Sequence, residues 1–227
     1  MKNIEESLRY TLQQIRDAEQ QYGRACGSVK LLAVSKTCNK EEILEAARWG
    51  QLDFAENYVQ EAIEKIKATN NPALIWHFIG PVQSNKTRPI AEYFHWVHSI
   101  DRIKIAQRLN DSRPDGYPPL NVCIQMNISG ETSKAGIGPE QARELAQAII
   151  TLPRLKLRGL MALPAPGHEF AQQRWPFARL QQHLRELQSS FPGMDTLSMG
   201  TTNDMVAAIA EGATMVRIGT AIFGPRA

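Results

Sequence analysis

One lysine closely follows a short apolar segment near the start of the chain. Residues 29–34 read VKLLAV, and Lys36 comes two positions later. Such a run is typical of a strand buried on both faces, so the side chain of Lys36 emerges where that strand ends. A lysine at a strand end most often reaches water. If it is held away from water instead, its neutral amine is a nucleophile towards carbonyl groups.

Two segments rich in glycine and hydroxyl groups lie near the end of the sequence. Residues 198–202 read SMGTT ahead of a predicted helix, and residues 217–220 read RIGT after an apolar run. Glycine lets the backbone approach a ligand, and hydroxyl groups donate to phosphate oxygens. The structural alternative is that Thr201 or Thr202 caps the helix and that Gly219 is a turn residue. Both segments are candidate phosphate sites.

Two further side chains are candidates for contacts with a ring. Arg217 precedes Gly219 by two residues, so both point to one side of a strand. A buried guanidinium needs an acceptor, which is either a cofactor ring nitrogen or the carboxylate of a salt bridge. Asn57 ends the segment FAEN and either hydrogen-bonds a ring hydroxyl or, with Gln60, caps a helix. His77 is interpreted as a packing residue and not as a catalytic one.

Composition limits the classes of protein that can carry these residues. The chain has 227 residues, 43% hydrophobic and 22% charged, with a net charge of +3 and no basic run. This composition indicates a globular protein without a nucleic-acid surface. No apolar run approaches the ~20 residues of a membrane span, and the N-terminus lacks a signal sequence. Three cysteines without a CxxC pair, and no metal-ligand spacing, favour the cytoplasm and no metal site.

Hydrophobic periodicity predicts strict alternation of strands and helices. An amphipathic helix from Ile4 to Tyr22 comes first, and eight strands follow, seven of them with a helix behind. Eight such units in roughly 200 residues match a (β/α)8 barrel, with the N-terminal helix filling the gap in the outer ring. The rival, an open doubly wound sheet, should show GxGxxG where this chain reads SKTCNKEE. Residues 163–175 are predicted to be a loop, with a helix starting near Pro176.

The barrel brings the candidate residues together. Sites in this fold form at the C-terminal ends of the strands, and phosphate commonly binds after strands seven and eight. A phosphate site beside a nucleophilic lysine predicts a Schiff base between Lys36 and a phosphorylated aldehyde, for which pyridoxal 5'-phosphate (PLP) is the natural candidate. Lys134, in the loop SGETSKAG, is either a second anion contact for PLP entry and transfer or a solvated lysine.

Six segments together resemble the YggS/PROSC family of pyridoxal phosphate homeostasis proteins. They are LLAVSKT around Lys36, FAENYVQE at 54–61, WHFIGPVQSNK at 76–86, RGLMALPAP at 158–166, LSMGTTNDM at 197–205 and MVRIGTAIFG at 215–224. The resemblance runs from about residue 29 to the end. It implies a single domain over 1–227, an α/β PLP-binding TIM barrel similar to the N-terminal domain of alanine racemase (fold type III).

The resemblance also implies a role for each site residue. Lys36 would hold PLP, Asn57 would lie near the ring, Met161 would line the pocket and Arg217 would face the pyridine nitrogen. The family usually reads S-[ML]-G-M-S where this chain has SMGTT, and both substituted positions still offer backbone N–H groups. The phosphate is expected to be held in these two segments, at Ser198, Gly200, Thr201, Gly219 and Thr220.

The implied role is a carrier or buffer of PLP in vitamin B6 homeostasis, without robust catalysis. An arginine that stays charged keeps a pyridine nitrogen unprotonated and weakens the ring as an electron sink. A racemase would also need a second domain with a tyrosine base. We expect a cytoplasmic monomer that contacts PLP-dependent apo-enzymes transiently and binds neither nucleic acid nor membrane. The alternatives are a small PLP-dependent racemase or lyase and, more weakly, a sugar-phosphate aldolase with a Schiff base.

Overall fold

A computed structural model of the protein describes residues 3–128 and 135–225. Lys134, the candidate second anion contact, lies outside the described residues. Within the two described ranges, every helix is too short or too polar to cross a membrane.

Eight parallel strands close into a barrel in sequence order, with the first strand paired to both the second and the eighth. The predicted (β/α)8 fold is therefore confirmed. The strands are β1 (Lys30–Val34), β2 (Asp53–Glu56), β3 (Ile75–Phe78), β4 (Trp96–Ile100), β5 (Leu120–Met126), β6 (Leu155–Ala162), β7 (Thr196–Ser198) and β8 (Met215–Ile218).

Helices alternate with these strands in the described parts of the chain and form the outer ring. The N-terminal helix packs against the helices at Lys40–Arg48, Met205–Ala210 and Thr220–Phe223, and it fills the gap left by the last of these, which has four residues. The helices are α1 (Ile4–Gln21), α2 (Lys40–Arg48), α3 (Val59–Thr69), α4 (Thr87–Tyr93), α5 (Ile103–Ser112), α6 (Pro139–Ile149), α7 (Phe170–Gln188), α8 (Met205–Ala210) and α9 (Thr220–Phe223).

The prediction for α7 was wrong at its N-terminus. The helix begins at Phe170, so residues 170–175 are helical and Pro176 lies in the helix interior. Gln172 Oε1 accepts hydrogen bonds from the backbone N–H groups of His168 and Glu169 and so closes the first turn. A proline inside a helix costs about 3 kcal/mol. Burial of Pro176 beside Phe177 helps to offset that cost.

Two apolar layers stabilise the barrel. The larger one lies between the strands and the surrounding helices, and a smaller cluster around Leu32, Trp96 and Met161 lies among the inward-facing side chains. Polar side chains share that interior, including Asp53 and Arg217, both of which are buried. Because buried polar groups need hydrogen-bond partners, this interior must contain a connected polar network.

Candidate functional site

A cavity of about 400 Å³ opens at the C-terminal ends of the strands. Its volume falls within the roughly 300–1,000 Å³ of small-molecule sites. Seven of the nine residues predicted from the sequence line it: Lys36, Asn57, Met161, Thr201, Arg217, Gly219 and Thr220. The other described lining residues are Val34, Ile79, Gln125, Leu163, Thr202 and Asn203.

The backbone on both sides of Lys36 is fixed by a buried ion-pair cluster. Lys65 of α3 donates from Nζ to the Ser35 carbonyl at 2.7 Å and to Glu56 Oε1 at 2.9 Å. It also donates to Glu61 Oε1 at 2.5 Å, and the same oxygen accepts the Thr37 backbone N–H. Thr37 has a φ of 70°, a left-handed conformation that a threonine rarely adopts without such support. Sequence analysis missed this cluster.

Burial and charge shape the titration of groups next to this lysine. Burial raises the pKa of Glu56, although the charge of Lys65 opposes the change. Burial also acts to raise the pKa of Glu61, but hydrogen bonds from Lys65 and Thr37 lower it overall. Burial and the charge of Glu42 raise the pKa of the Cys38 thiol to about 12. Cys38 is therefore protonated at neutral pH, and a protonated thiol is a weak nucleophile.

Asn57 has an amide oxygen that is ready for a ligand. Its Oδ1 is buried and has no hydrogen-bond partner in the described residues, although the residue lines the cavity. The helix-cap alternative was wrong, because Tyr58 is the N-cap of α3 and makes no side-chain cap bond. An unpaired buried acceptor costs about 1–3 kcal/mol, a cost that a ligand donor would remove.

The two candidate phosphate segments reach the cavity with different residues. Thr201, Gly219 and Thr220 line it, whereas Gly200 lies behind it with a φ of 92°. A Cβ added to Gly200 would lie 2.5 Å from the Cβ of Ala208, so glycine is required there for packing. The helix-cap alternative for the threonines was wrong. Instead, Asp204 is the N-cap of α8 and accepts hydrogen bonds from both the N–H and the hydroxyl of Thr201.

Ser198 lies inside the barrel and is not among the described residues that line the cavity. Its hydroxyl is fully buried, 2.8 Å from His98 Nδ1 and 2.9 Å from Arg217 Nη1. These two side-chain partners satisfy the hydroxyl without a ligand.

Arg217 is buried without a carboxylate in direct contact. Its guanidinium donates to the Ser198 carbonyl at 2.6 Å, to Ser198 Oγ and to the Ala162 carbonyl at 2.9 Å. Burial lowers the pKa of Arg217 to about 10, so it stays charged at neutral pH. The salt-bridge alternative was wrong for the described residues, where no ion pair includes Arg217. An arginine that lines a cavity with neutral partners can interact with a ligand.

His77 is buried and hydrogen-bonded, as a packing residue should be, but its partners are ionisable. His77 Nε2 lies 2.9 Å from Asp53 Oδ1, and His77 Nδ1 lies 3.0 Å from His98 Nε2. Sequence analysis missed Asp53 and His98. The available signal was the presence of polar residues within short apolar strands, since such residues need partners inside the core.

Comparisons with known proteins agree with this fold and cavity. The family model for the alanine racemase N-terminal domain matches residues 10–227. The pyridoxal phosphate homeostasis protein of Pseudomonas aeruginosa is 55% identical over 226 residues, 100% of this chain and 97% of the relative. The protein of the same name from Escherichia coli K12 is 51% identical over 229 residues, 100% of this chain and 98% of the relative. PipY of Synechococcus elongatus PCC7942, solved with PLP bound, gives a TM-score of 0.84 at 35% identity and covers 98% of this chain and 100% of its own.

The barrel and its cavity thus define a protein of the alanine racemase N-terminal domain class. The chain belongs to the pyridoxal phosphate homeostasis protein family. The family resemblance and fold class predicted from the sequence are confirmed, and PipY, a solved relative, binds PLP.

Proposed function

We propose that this protein binds PLP in the cavity and carries or buffers it as part of intracellular vitamin B6 homeostasis, without robust catalysis. The observation that carries the proposal is the convergence of Lys36, Asn57 and Arg217 with the Thr201 and Gly219–Thr220 segments on one cavity. An amine, an unpaired amide oxygen, a guanidinium and hydroxyl groups are the partners that an aldehyde, a ring hydroxyl, a pyridine nitrogen and a phosphate require.

Lys36 holds the cofactor covalently in this proposal. Condensation of its amine with the PLP aldehyde forms one C=N bond and releases one water, and hydrolysis reverses the reaction. The buried Glu56–Lys65–Glu61 cluster fixes the backbone at Ser35 and Thr37, which orients the lysine between them. Reversible attachment is the chemistry that a carrier needs, because the cofactor must leave unchanged.

The remaining contacts follow from the side chains that line the cavity. Thr201, Gly219 and Thr220 are assigned to the phosphate, with Ser198 and Gly200 shaping the segment from behind. Asn57 Oδ1 accepts from the ring hydroxyl, and Met161 packs against the ring. Arg217 faces the pyridine nitrogen and, because it keeps its proton, prevents the protonation that strong carbanion stabilisation requires.

A lack of acid–base groups favours a carrier over an enzyme. Among the described residues that line the cavity, only Lys36 and Arg217 have ionisable side chains. A racemase needs a second positioned acid or base of matched pKa besides the lysine, and a charged arginine does not supply one. The second candidate function, a small PLP-dependent racemase or lyase, is favoured by the alanine racemase family model alone.

The expected setting is the cytoplasm, where the protein acts as a monomer and meets PLP-dependent apo-enzymes transiently. The same features that make attachment to Lys36 reversible allow PLP to pass to such a partner. No nucleic acid or membrane contact is required for this role.

Two assays on the purified full-length protein test the proposal. The first mixes PLP-loaded protein with a PLP-dependent apo-enzyme, with an equal amount of free PLP as the control. We expect the apo-enzyme to recover activity. The second incubates loaded protein with single L-amino acids and measures D-isomers and keto acids. Formation of either product at enzymatic rates would contradict the carrier role and support the racemase or lyase.

A further inference from the structure

Five side chains form a continuous hydrogen-bonded path through the barrel interior, here called the buried relay. It begins at Asp53, the first residue of β2, and passes through His77 in β3 and His98 in β4. It continues to Ser198, the last residue of β7, and ends at Arg217 in β8. Its four links measure 2.8–3.0 Å, and its five members are at most 9% exposed.

The two ends of the buried relay lie on β2 and β8, the two strands that flank β1. Asp53, at the N-terminal end of β2, pairs with Lys30 at 3.1 Å. Arg217 lines the cavity at the C-terminal end. The path therefore connects a carboxylate remote from the cavity with the guanidinium that faces it, and none of its three middle members lines the cavity.

The chemistry of the two ends fixes the direction of every hydrogen bond between them. Ionised Asp53 only accepts, so His77 Nε2–H donates to it and leaves Nδ1 as a neutral acceptor. His98 must then donate from Nε2, which leaves its own Nδ1 to accept the Ser198 hydroxyl proton. Arg217 only donates, and it donates to the remaining lone pairs of Ser198 Oγ. All four protons therefore point away from the cavity, towards Asp53.

Burial supports neutral imidazoles along this path. Burial lowers the pKa of His77, although Asp53 opposes the change. Burial, together with the charges of His77 and Arg217, lowers the pKa of His98 well below 6.5. A protonated His77 would donate from Nδ1 to His98 Nε2, so His98 would have to carry its own proton on Nδ1. His98 Nδ1–H and Arg217 would then both donate to Ser198 Oγ, which leaves the serine proton without an acceptor among its contacts.

We propose that Asp53, His77, His98 and Ser198 are positioning residues that orient Arg217 towards the cavity through one uniformly directed chain of hydrogen bonds. Aligned hydrogen bonds polarise one another in a low-dielectric interior. The Asp53 carboxylate is thus joined to Arg217 through this chain, in addition to Asp204, which accepts two hydrogen bonds from Thr201 in the cavity lining and whose charge also acts on Arg217. This proposal depends on the proposed function only for the identity of the ligand that Arg217 faces.

The direct test reads the imidazole tautomers of the ligand-free, full-length protein. Long-range ¹H–¹⁵N correlation spectra at pH 7.5 should show His77 and His98 as neutral rings protonated at Nε2. A ring protonated at Nδ1, or a doubly protonated ring, at either residue would overturn the proposal. This result does not depend on PLP, so it separates failure of the buried relay from failure of the proposed function.

Substitutions at Asp53 test whether the direction of the hydrogen bonds affects ligand binding in the cavity. Asp53→Leu removes the acceptor, so a second, Nδ1-protonated form of His98 should appear and PLP should dissociate about three- to tenfold more readily. Asp53→Asn keeps an acceptor oxygen and should restore both readouts to within twofold. Lys30→Met, which removes only the outer partner of Asp53, is the matched control and should change neither. An unchanged His98 tautomer and unchanged PLP dissociation in Asp53→Leu would overturn the proposal. If that variant does not fold, the wild-type spectrum still decides the direction of the hydrogen bonds.

Discussion

Lys36 and Arg217, the two cations of the described cavity lining, come from adjacent strands but have different supports. The backbone around Lys36 is held by an ion-pair cluster in which Lys65 bridges Glu56 and Glu61. Arg217 is held by backbone carbonyls, a hydroxyl and the neutral histidines of the buried relay. Carboxylates bind Lys65 directly in the support of the lysine, whereas the guanidinium of Arg217 contacts no carboxylate directly among the described residues.

This difference matches the work proposed for each cation. A lysine that forms and loses a covalent bond needs a fixed backbone, and nearby charges provide that rigidity. An arginine that faces a ring nitrogen must not be neutralised by a closer acceptor. Burial lowers the pKa of Arg217 only to about 10, so it stays charged beside its neutral hydrogen-bond partners and can interact with the ligand.

The largest expected effect comes from breaking the lysine-side cluster. Lys65→Met leaves Glu56 buried without its cation, and removing one partner of a buried pair costs about 3–5 kcal/mol. We expect the free energy of unfolding in urea to fall by that amount and PLP binding to weaken. Lys67→Met, on the same helix over Tyr93, is the control and should cost less than about 1 kcal/mol. Equal losses in the two variants would show that the cluster has no special role.

The two histidines of the buried relay and Glu56 should affect the pH dependence of stability with opposite signs. His77 and His98 have lowered pKa values, so their contribution to stability is present above pH 6.5 and is lost as pH falls. Glu56 has a raised pKa, so its contribution is present below 4.5 and is lost as pH rises. In Glu56→Gln, stability measured by urea unfolding should therefore rise more steeply with pH than in the wild type, and a shallower rise would contradict the assignment.

A smaller effect is expected from removing the hydrogen bond between Arg217 and the Ser198 hydroxyl. Ser198→Ala removes the hydroxyl between His98 and Arg217 but leaves the Ser198 carbonyl bond and the Ala162 bond intact. The loss of one buried hydrogen bond predicts about three- to tenfold weaker PLP retention by equilibrium dialysis. Ser198→Thr keeps the hydroxyl and should recover most of the PLP retention. Failure of threonine to restore retention would indicate a packing effect instead.

The smallest effect on stability is expected at Asn57. Because its Oδ1 has no hydrogen-bond partner in the described residues, Asn57→Leu should not lower the free energy of unfolding of the ligand-free protein. The same change should weaken PLP binding about three- to tenfold. Destabilisation of the ligand-free protein without loss of affinity would mean that Asn57 is structural.

The parts predictable from the sequence are those encoded locally. Lys36 and Gly219 were found because each follows a recognisable strand, and barrel geometry brings strand ends together. The start of α7 was missed because Pro176 resembles a first-turn proline, whereas the helix begins at Phe170.

The supports behind the cavity could not be predicted in the same way. His98 and Ser198 are 100 residues apart, and their contact depends on how strands align across the barrel. Lys65 is a buried residue of α3. Periodicity indicates whether a helix position faces solvent or the core, but it does not indicate which residue it contacts. Polar residues inside apolar strands signalled that partners exist, but the pairing came only from the three-dimensional fold.

The most direct test of the account is borohydride reduction of PLP-loaded protein, followed by absorption spectroscopy and peptide mass mapping. Wild-type protein should be yellow before reduction and should carry one pyridoxyl adduct, on Lys36. Lys36→Ala should carry none, and Lys67→Met should match the wild type. A colourless protein that PLP does not reconstitute, or an adduct on a different lysine, would contradict the assignment of this cavity as the PLP site.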